Sequence, residues 1–160
     1  MTIQVGDKIP ACSTLRVMGE KGPQPVTTDD LFAGKKVVLF AVPGAFTPGC
    51  SNTHLPGFVV NADKIKAKGV ASIICVSVND AFVMGAWGKA QNAEHLTMLA
   101  DGSAELAKAT GMELDLIDKG MGVRWKRLAM IVDDGVVKNL AIEPPGGIVE
   151  SSAEAILKLL

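Results

Sequence analysis

Two stretches of this chain are apolar almost without interruption, and they set the reading of everything between them. Val37-Val38-Leu39-Phe40-Ala41-Val42 is rich in β-branched and aromatic residues and never alternates with polar ones. Val70 to Val78 (VASIICVSV) is nearly as apolar. Unbroken runs of this length predict strands buried on both faces, as in a parallel sheet covered by helices. The segment between them predicts a helix from near Cys50 to Lys68, closed by Gly69. Pro56 falls inside that helix, where it removes a hydrogen bond and must bend or interrupt it.

The flanks follow the same logic. Ala11 to Val26 reads as irregular strands turning at Gly19-Glu20-Lys21-Gly22-Pro23. Thr28-Asp29-Asp30 supplies an N-cap and an acidic first turn for a short helix that Gly34 stops. Asp80 to Asn92 predicts a helix, Leu96 to Ala100 a strand, and Ser103 to Thr110 a helix ended by Gly111. Arg124 to Val132 and Val136 to Ile142 predict two strands around Asp133-Asp134-Gly135, the strongest hairpin signal in the chain. Ser151-Ser152-Ala153-Glu154 resembles a capping box, opening a C-terminal amphipathic helix with Ile156, Leu157, Leu159 and Leu160. Helices alternating with strands, then an antiparallel hairpin and a helix, predict an α/β protein with a mixed central sheet covered on both faces.

Composition narrows the function classes. A chain of 160 residues, with no repeat, linker or low-complexity tract, predicts one domain with a sizeable core. Hydrophobic content of 48% and a mean hydropathy of +0.30 argue against disorder and leave apolar surface for a partner. A net charge of −1 and a pI of about 6.1 give no electrostatic reason to expect nucleic acid or an anionic membrane. No apolar run approaches the roughly 18 residues needed to span a bilayer, and the N-terminus MTIQVGDKIP does not read as a secretory signal. Three cysteines without paired spacing suggest a reducing compartment, with the cytosol as the expected location.

The chemistry gathers just after the first apolar run. Pro43, Gly44, Pro48 and Gly49 break the strand into a tight loop, and Cys50-Ser51-Asn52-Thr53-His54 opens the following helix. A cysteine there meets backbone N–H groups without intrahelical partners and the positive end of a helix dipole, both of which favour thiolate over thiol. By itself a lone cysteine is more often a small buried hydrophobe. Its neighbours change that balance: the Thr47 hydroxyl can hydrogen-bond a thiolate or an incoming oxygen, and Pro43 and Pro48 stiffen the loop.

The pattern Pro43-x-x-x-Thr47-x-x-Cys50 resembles the active-site signature of the peroxiredoxins, and PGAFTPGCSNTHLPGF is similar to their type II, peroxiredoxin-5-like branch. Val5-Gly6-Asp7-Lys8-Ile9-Pro10, Ser77 to Val83 and Lys126-Arg127-Leu128-Ala129-Met130 also match, so the resemblance covers nearly the whole chain. It implies a single thioredoxin-like peroxiredoxin domain over residues 1–160 and names Arg127, not Arg124, as the active-site arginine. It implies that Cys50 attacks hydrogen peroxide or a small alkyl hydroperoxide and becomes a sulfenic acid, helped by Thr47, loop N–H groups and Arg127 and shielded by Pro43. Glutathione with glutaredoxin, or thioredoxin, would regenerate it. A homodimer is expected by the same resemblance. No metal or organic cofactor is implied, because sulfur carries both electrons.

Alternation puts Arg124 and Lys126 on one strand face, with Trp125, Arg127 and Ala129 on the other. An arginine on an apolar face must find an anion or acceptor, which a Cys50 thiolate would provide. His54 stands four residues after Cys50, yet a cysteine hydrolase also needs an orienting group and an oxyanion site; a histidine bonded to nearby backbone or carboxylate fits better. The dispersed cysteines and two histidines have no metal-ligand spacing. Cys12 reads as structural or incidental, and the absence of Cys-x-x-Cys disfavours a disulfide oxidoreductase. Cys75 lies on an apolar strand, where a buried inert thiol is the natural reading, while by resemblance it is the candidate resolving cysteine. Pro144 to Ser151 contains no cysteine, which removes the C-terminal route that some type II members use. The competing class is a peroxide-sensing switch or holdase using the same cysteine, distinguishable by turnover.

Overall fold

In the computed structural model, residues 2–160 are described. Strands β1 (Arg16–Gly19), β2 (Gly22–Pro25) and helix α1 (Thr28–Phe32) precede the first apolar run, which forms β3 (Lys36–Ala41). Helix α2 (Leu55–Lys66) follows, then β4 (Ser72–Ser77), α3 (Ala81–Ala90), β5 (Thr97–Ala100) and α4 (Glu105–Ala109). The chain closes with β6 (Glu113–Leu116), β7 (Gly122–Trp125), β8 (Leu128–Asp133), β9 (Val136–Ile142) and α5 (Ala153–Leu159).

Seven strands make one mixed sheet in the order β2-β1-β5-β4-β3-β8-β9. β3 sits inside it, parallel to β4 and antiparallel to β8, with Phe40 opposite both Cys75 and Ala129. Its unbroken hydrophobicity now has a cause. Val38 and Phe40 enter one apolar layer with Phe58 of α2, Trp87 of α3 and Ile156 of α5. Val37, Leu39 and Ala41 enter the opposite layer with Phe32 of α1 and Leu106 of α4. Both faces of the strand are covered, so neither tolerates a polar alternation.

Several sequence expectations are corrected in detail. The helix after the first loop does not run evenly from Cys50: Cys50–His54 is a π turn, in which the Leu55 N–H reaches back to the Cys50 carbonyl, and α2 starts after it. Pro56 occupies the first turn of α2, so the interruption lies just ahead of the proline that lacks an N–H to continue an α ladder. Arg124 to Val132 is not one strand. β7 pairs with β6 in a separate two-stranded ribbon, and Lys126-Arg127 forms a break before β8. Alternation therefore fails across it: Trp125 packs with Leu128 and Met130, away from Ala129. β6 itself gave no clear sequence signal. Thr27 rather than Thr28 caps α1, in a reciprocal capping box with Asp30. Ser152 rather than Ser151 caps α5, because Ser151 is drawn inward. The hairpin holds as expected, with positive φ at Asp134 (48°) and Gly135 (78°).

Candidate active site

The loop leaving β3 carries Pro43 to Gly49 and is pinned by the loop leaving β4. Asn79 Oδ1 accepts the Ala45 N–H at 2.9 Å and the Ser77 hydroxyl at 2.7 Å. Phe46 takes a positive φ of 64° as the loop turns back toward the sheet. Ser51 N–H then bonds the Thr47 carbonyl at 2.9 Å, so helical geometry begins in the turn that presents Cys50. The Cys50 side chain is fully buried, in the layer that holds Phe40 and Phe58.

Two arginines close over this loop, and two glycines admit them. Arg127 Nη2 donates to Cys50 Sγ at 3.1 Å. A Cβ at Gly49 would lie 3.3 Å from that nitrogen. Arg124 Nη1 donates to the Pro43 carbonyl at 3.3 Å, and a Cβ at Gly44 would lie 2.9 Å from it. Arg127 is thus the arginine that touches sulfur, whereas Arg124 braces the loop. The Thr47 hydroxyl donates to the Gly44 carbonyl at 2.7 Å, which leaves its oxygen lone pairs as acceptors. Pro43 and Arg127 line a cleft of about 540 Å³ with Leu114, Leu116, Ile142 and Pro144.

His54 is buried and joins the arginine rather than the sulfur. Arg127 Nη1 donates to His54 Nδ1 at 2.8 Å, and His54 Nε2 bonds the Ser151 carbonyl at 2.9 Å. Burial, with a smaller push from the Arg127 charge, lowers its pKa from the ordinary value to about 4, against the opposing pulls of Ser151 and Glu143. Glu143 Oε2 in turn accepts both the N–H and the hydroxyl of Ser151, at 2.7 Å each. Burial raises the Glu143 carboxyl, but these bonds from Ser151, with backbone N–H groups of Glu150 and Val149, outweigh it and hold the group below its usual range.

The other thiols lie apart from this network. Cys75 is fully buried on β4, and burial first, then the Cys50 charge, pushes its thiol well above the ordinary value. Cys12 is raised to about 11 by burial and by Glu105 and Asp101. Among the described residues no three His, Cys, Asp or Glu side chains converge where a metal could sit.

A family model described as Redoxin matches residues 4–157. Peroxiredoxin-2E-2, chloroplastic, of Oryza sativa subsp. japonica is 51% identical over 164 residues, covering 99% of this chain and 73% of that protein. Peroxiredoxin-2D of Arabidopsis thaliana is 49% identical over 160 residues, covering 99% of this chain and 98% of the relative. The crystal structure of reduced Prx3 from Vibrio vulnificus in complex with H2O2 is similar at a TM-score of 0.95 and 53% identity, over 99% of each chain. The chain belongs to the redoxin family, as a type II peroxiredoxin. The fold is thioredoxin-like, and the activity is thiol-dependent reduction of peroxide.

The structure brings Pro43, Thr47, Cys50 and Arg127 of this peroxiredoxin to one end of the sheet. Cys75 lies on the strand beside β3, in the same apolar layer as Cys50. Sequence reasoning gave Glu143 no role, took Ser151 only for a helix cap, and gave His54 no link to Arg127. One signal was present: Glu143 directly follows the run Leu140-Ala141-Ile142 and precedes Pro144-Pro145, so it is a carboxylate held between apolar and rigid neighbours.

Proposed function

We propose that this peroxiredoxin reduces hydrogen peroxide and small alkyl hydroperoxides through a sulfenic acid on Cys50, and that an external thiol resets it. The observation carrying this reading is the 3.1 Å contact from Arg127 Nη2 to Cys50 Sγ at a helix start. A guanidinium donor and the positive end of the helix both face the sulfur that attacks. Sulfur forms a bond to the nearer peroxide oxygen while the O–O bond breaks, and the electron pair leaves on the distal oxygen, which takes up one proton, the equivalent of the one the thiol lost, and departs as water or alcohol. Arg127 and loop N–H groups steady the charge that develops there. Thr47, its hydroxyl proton already committed to Gly44, accepts the hydrogen bond of the incoming peroxide. Pro43 shields the product sulfenic acid.

Resolution by glutathione with glutaredoxin, or by thioredoxin, then releases water from the sulfenic acid and leaves a mixed disulfide on Cys50. A second thiol reduces that disulfide. Cys75 supports this external route: its sulfur is fully buried and held protonated, hence a poor nucleophile. A homodimer is part of the reading, supported by Phe46 and Phe82, large side chains 55% and 65% exposed. Cytosolic location is supported by three unpaired cysteines.

The test is peroxide consumption coupled to glutathione and glutaredoxin, with intact mass after one equivalent of peroxide. Cys50→Ser should abolish consumption with the fold unchanged. Cys75→Ala should keep turnover and carry the glutathione adduct on Cys50. Wild-type consumption by Cys50→Ser would overturn the site. Rapid internal loss of two hydrogens in wild type, with collapse of turnover in Cys75→Ala, would make Cys75 the resolving residue instead.

A further inference from the structure

Arg127 lies in the break between β7 and β8, so strand geometry does not aim its long side chain. Something else must hold the guanidinium against Cys50. Arginine carries only donors, so its partners must all be acceptors. Nη2 faces Cys50 Sγ at 3.1 Å, and Nη1 faces His54 Nδ1 at 2.8 Å. His54 Nδ1 accepts only when the ring is neutral and its proton sits on Nε2. The Ser151 carbonyl, 2.9 Å from Nε2, selects that tautomer. Ser151 is fixed by Glu143 Oε2, and the Glu143 N–H returns to the Arg127 carbonyl at 3.0 Å. The bonds close a ring that starts at the Arg127 backbone and ends at its side chain.

We propose that His54 is the positioning residue for Arg127, and that Glu143 with Ser151 is the latch keeping His54 in its accepting tautomer. The C-terminal stretch 143–151 thereby helps to set how fast Cys50 is oxidised. Burial supports the neutral ring, since His54 is 1% exposed between Phe40 and Phe58. The proposal rests on the reading that Arg127 serves the attack of Cys50 on peroxide.

The experiment follows Cys50 oxidation by stopped flow in the reduced full-length protein, on Arg127→Ala, His54→Asn, His54→Gln and the double variant Arg127→Ala/His54→Gln. The Asn oxygen occupies the place of Nδ1 and can still accept from Arg127, whereas Gln reaches the place of Nε2 and leaves Arg127 without its acceptor. His54→Gln should slow oxidation by about 10- to 100-fold, as expected when a reacting group is misplaced by about 1 Å. His54→Asn should stay within about tenfold of wild type, the scale of one neutral hydrogen bond. The double variant should be no slower than Arg127→Ala alone, because His54 acts through the arginine.

Equal rates for Asn and Gln, whether fast or slow, or multiplicative losses in the double variant, would overturn the proposal while leaving the role of Arg127 intact. Unchanged oxidation in Arg127→Ala would instead overturn the reading of the site and the proposal with it. A measurement on wild type is independent of variant folding: nitrogen-15 NMR of the imidazole should find His54 protonated on Nε2 and bare on Nδ1. A proton on Nδ1 at neutral pH would refute the latch.

Discussion

At the scale of single residues, Cys50 is a buried sulfur made useful by what points at it. Removing the Arg127 donor by Arg127→Ala, or the Thr47 acceptor by Thr47→Val, is expected to slow Cys50 oxidation by about a hundredfold or more, the scale of losing one group aimed at developing charge. Stopped-flow rates at saturating peroxide check both, and wild-type speed in both would reject these roles. Gly49→Ala is a finer probe. Its Cβ would press to 3.3 Å on both Arg127 Nη2 and Ile148 Cδ1. Oxidation should slow severalfold with little change in melting temperature, because the crowded atoms belong to side chains that can shift by a few tenths of an ångström. These residues were legible early because Pro43, Thr47 and Cys50 lie within one short loop, where spacing in sequence is spacing in space. His54 was visible only as a histidine near a cysteine, since its partners lie 73 and 97 residues away.

At the scale of elements, the site depends on two loops meeting at the end of the parallel pair β3 and β4. Asn79 Oδ1 holds that meeting by accepting from Ala45 N–H and from Ser77 Oγ. Asn79→Ala should destabilise the fold by about 1–3 kcal/mol, the scale of stranding buried donors, and should slow oxidation through a looser Pro43–Gly49 loop. Urea unfolding and stopped-flow traces on the same variant check the two effects. The apolar runs announced β3 and β4 because each strand is buried on both faces. The break at Lys126-Arg127 was not legible in the same way. Period-two alternation carries no mark where a strand leaves one sheet for another, and only the pairing of β7 with β6 moves Trp125 across the layer.

At the scale of the molecule, the ring through His54 and Glu143 ties the C-terminal stretch to the start of α2 and makes the fold sensitive to acid. His54 is held neutral, with a folded pKa of about 4, while the unfolded chain protonates near 6.5. The unfolded state therefore binds more protons between those values, so stability present above about 6.5 is lost as pH falls toward 4, by roughly 3 kcal/mol in all. Glu143 is lowered, so its contribution is present above the ordinary carboxylate value and is also lost on acidification. Arg127, Glu143 and Cys50 are the charged or titratable groups set around the ring. Asp101 works in the opposite sense, because burial raises its carboxyl against bonds from Ala107, Leu106 and Trp125. Urea midpoints at pH 7 and pH 5 should fall with acid in wild type and fall less in His54→Asn. An identical drop in both would remove His54 from the account.

The amino-acid sequence by itself determined the two buried strands, the Asp134-Gly135 hairpin, the loop that presents Cys50 and the company of Pro43 and Thr47. Each is a local consequence of hydrophobic period, turn chemistry or short spacing. Tertiary structure alone decided that Cys50 is fully buried, that the helix opens with a π turn, and that Arg127 is aimed by His54, Ser151 and Glu143. Those facts depend on groups from distant parts of the chain finding complementary donors and acceptors. A buried polar group must be paired, but nothing in a linear pattern says with whom until packing has brought the segments together.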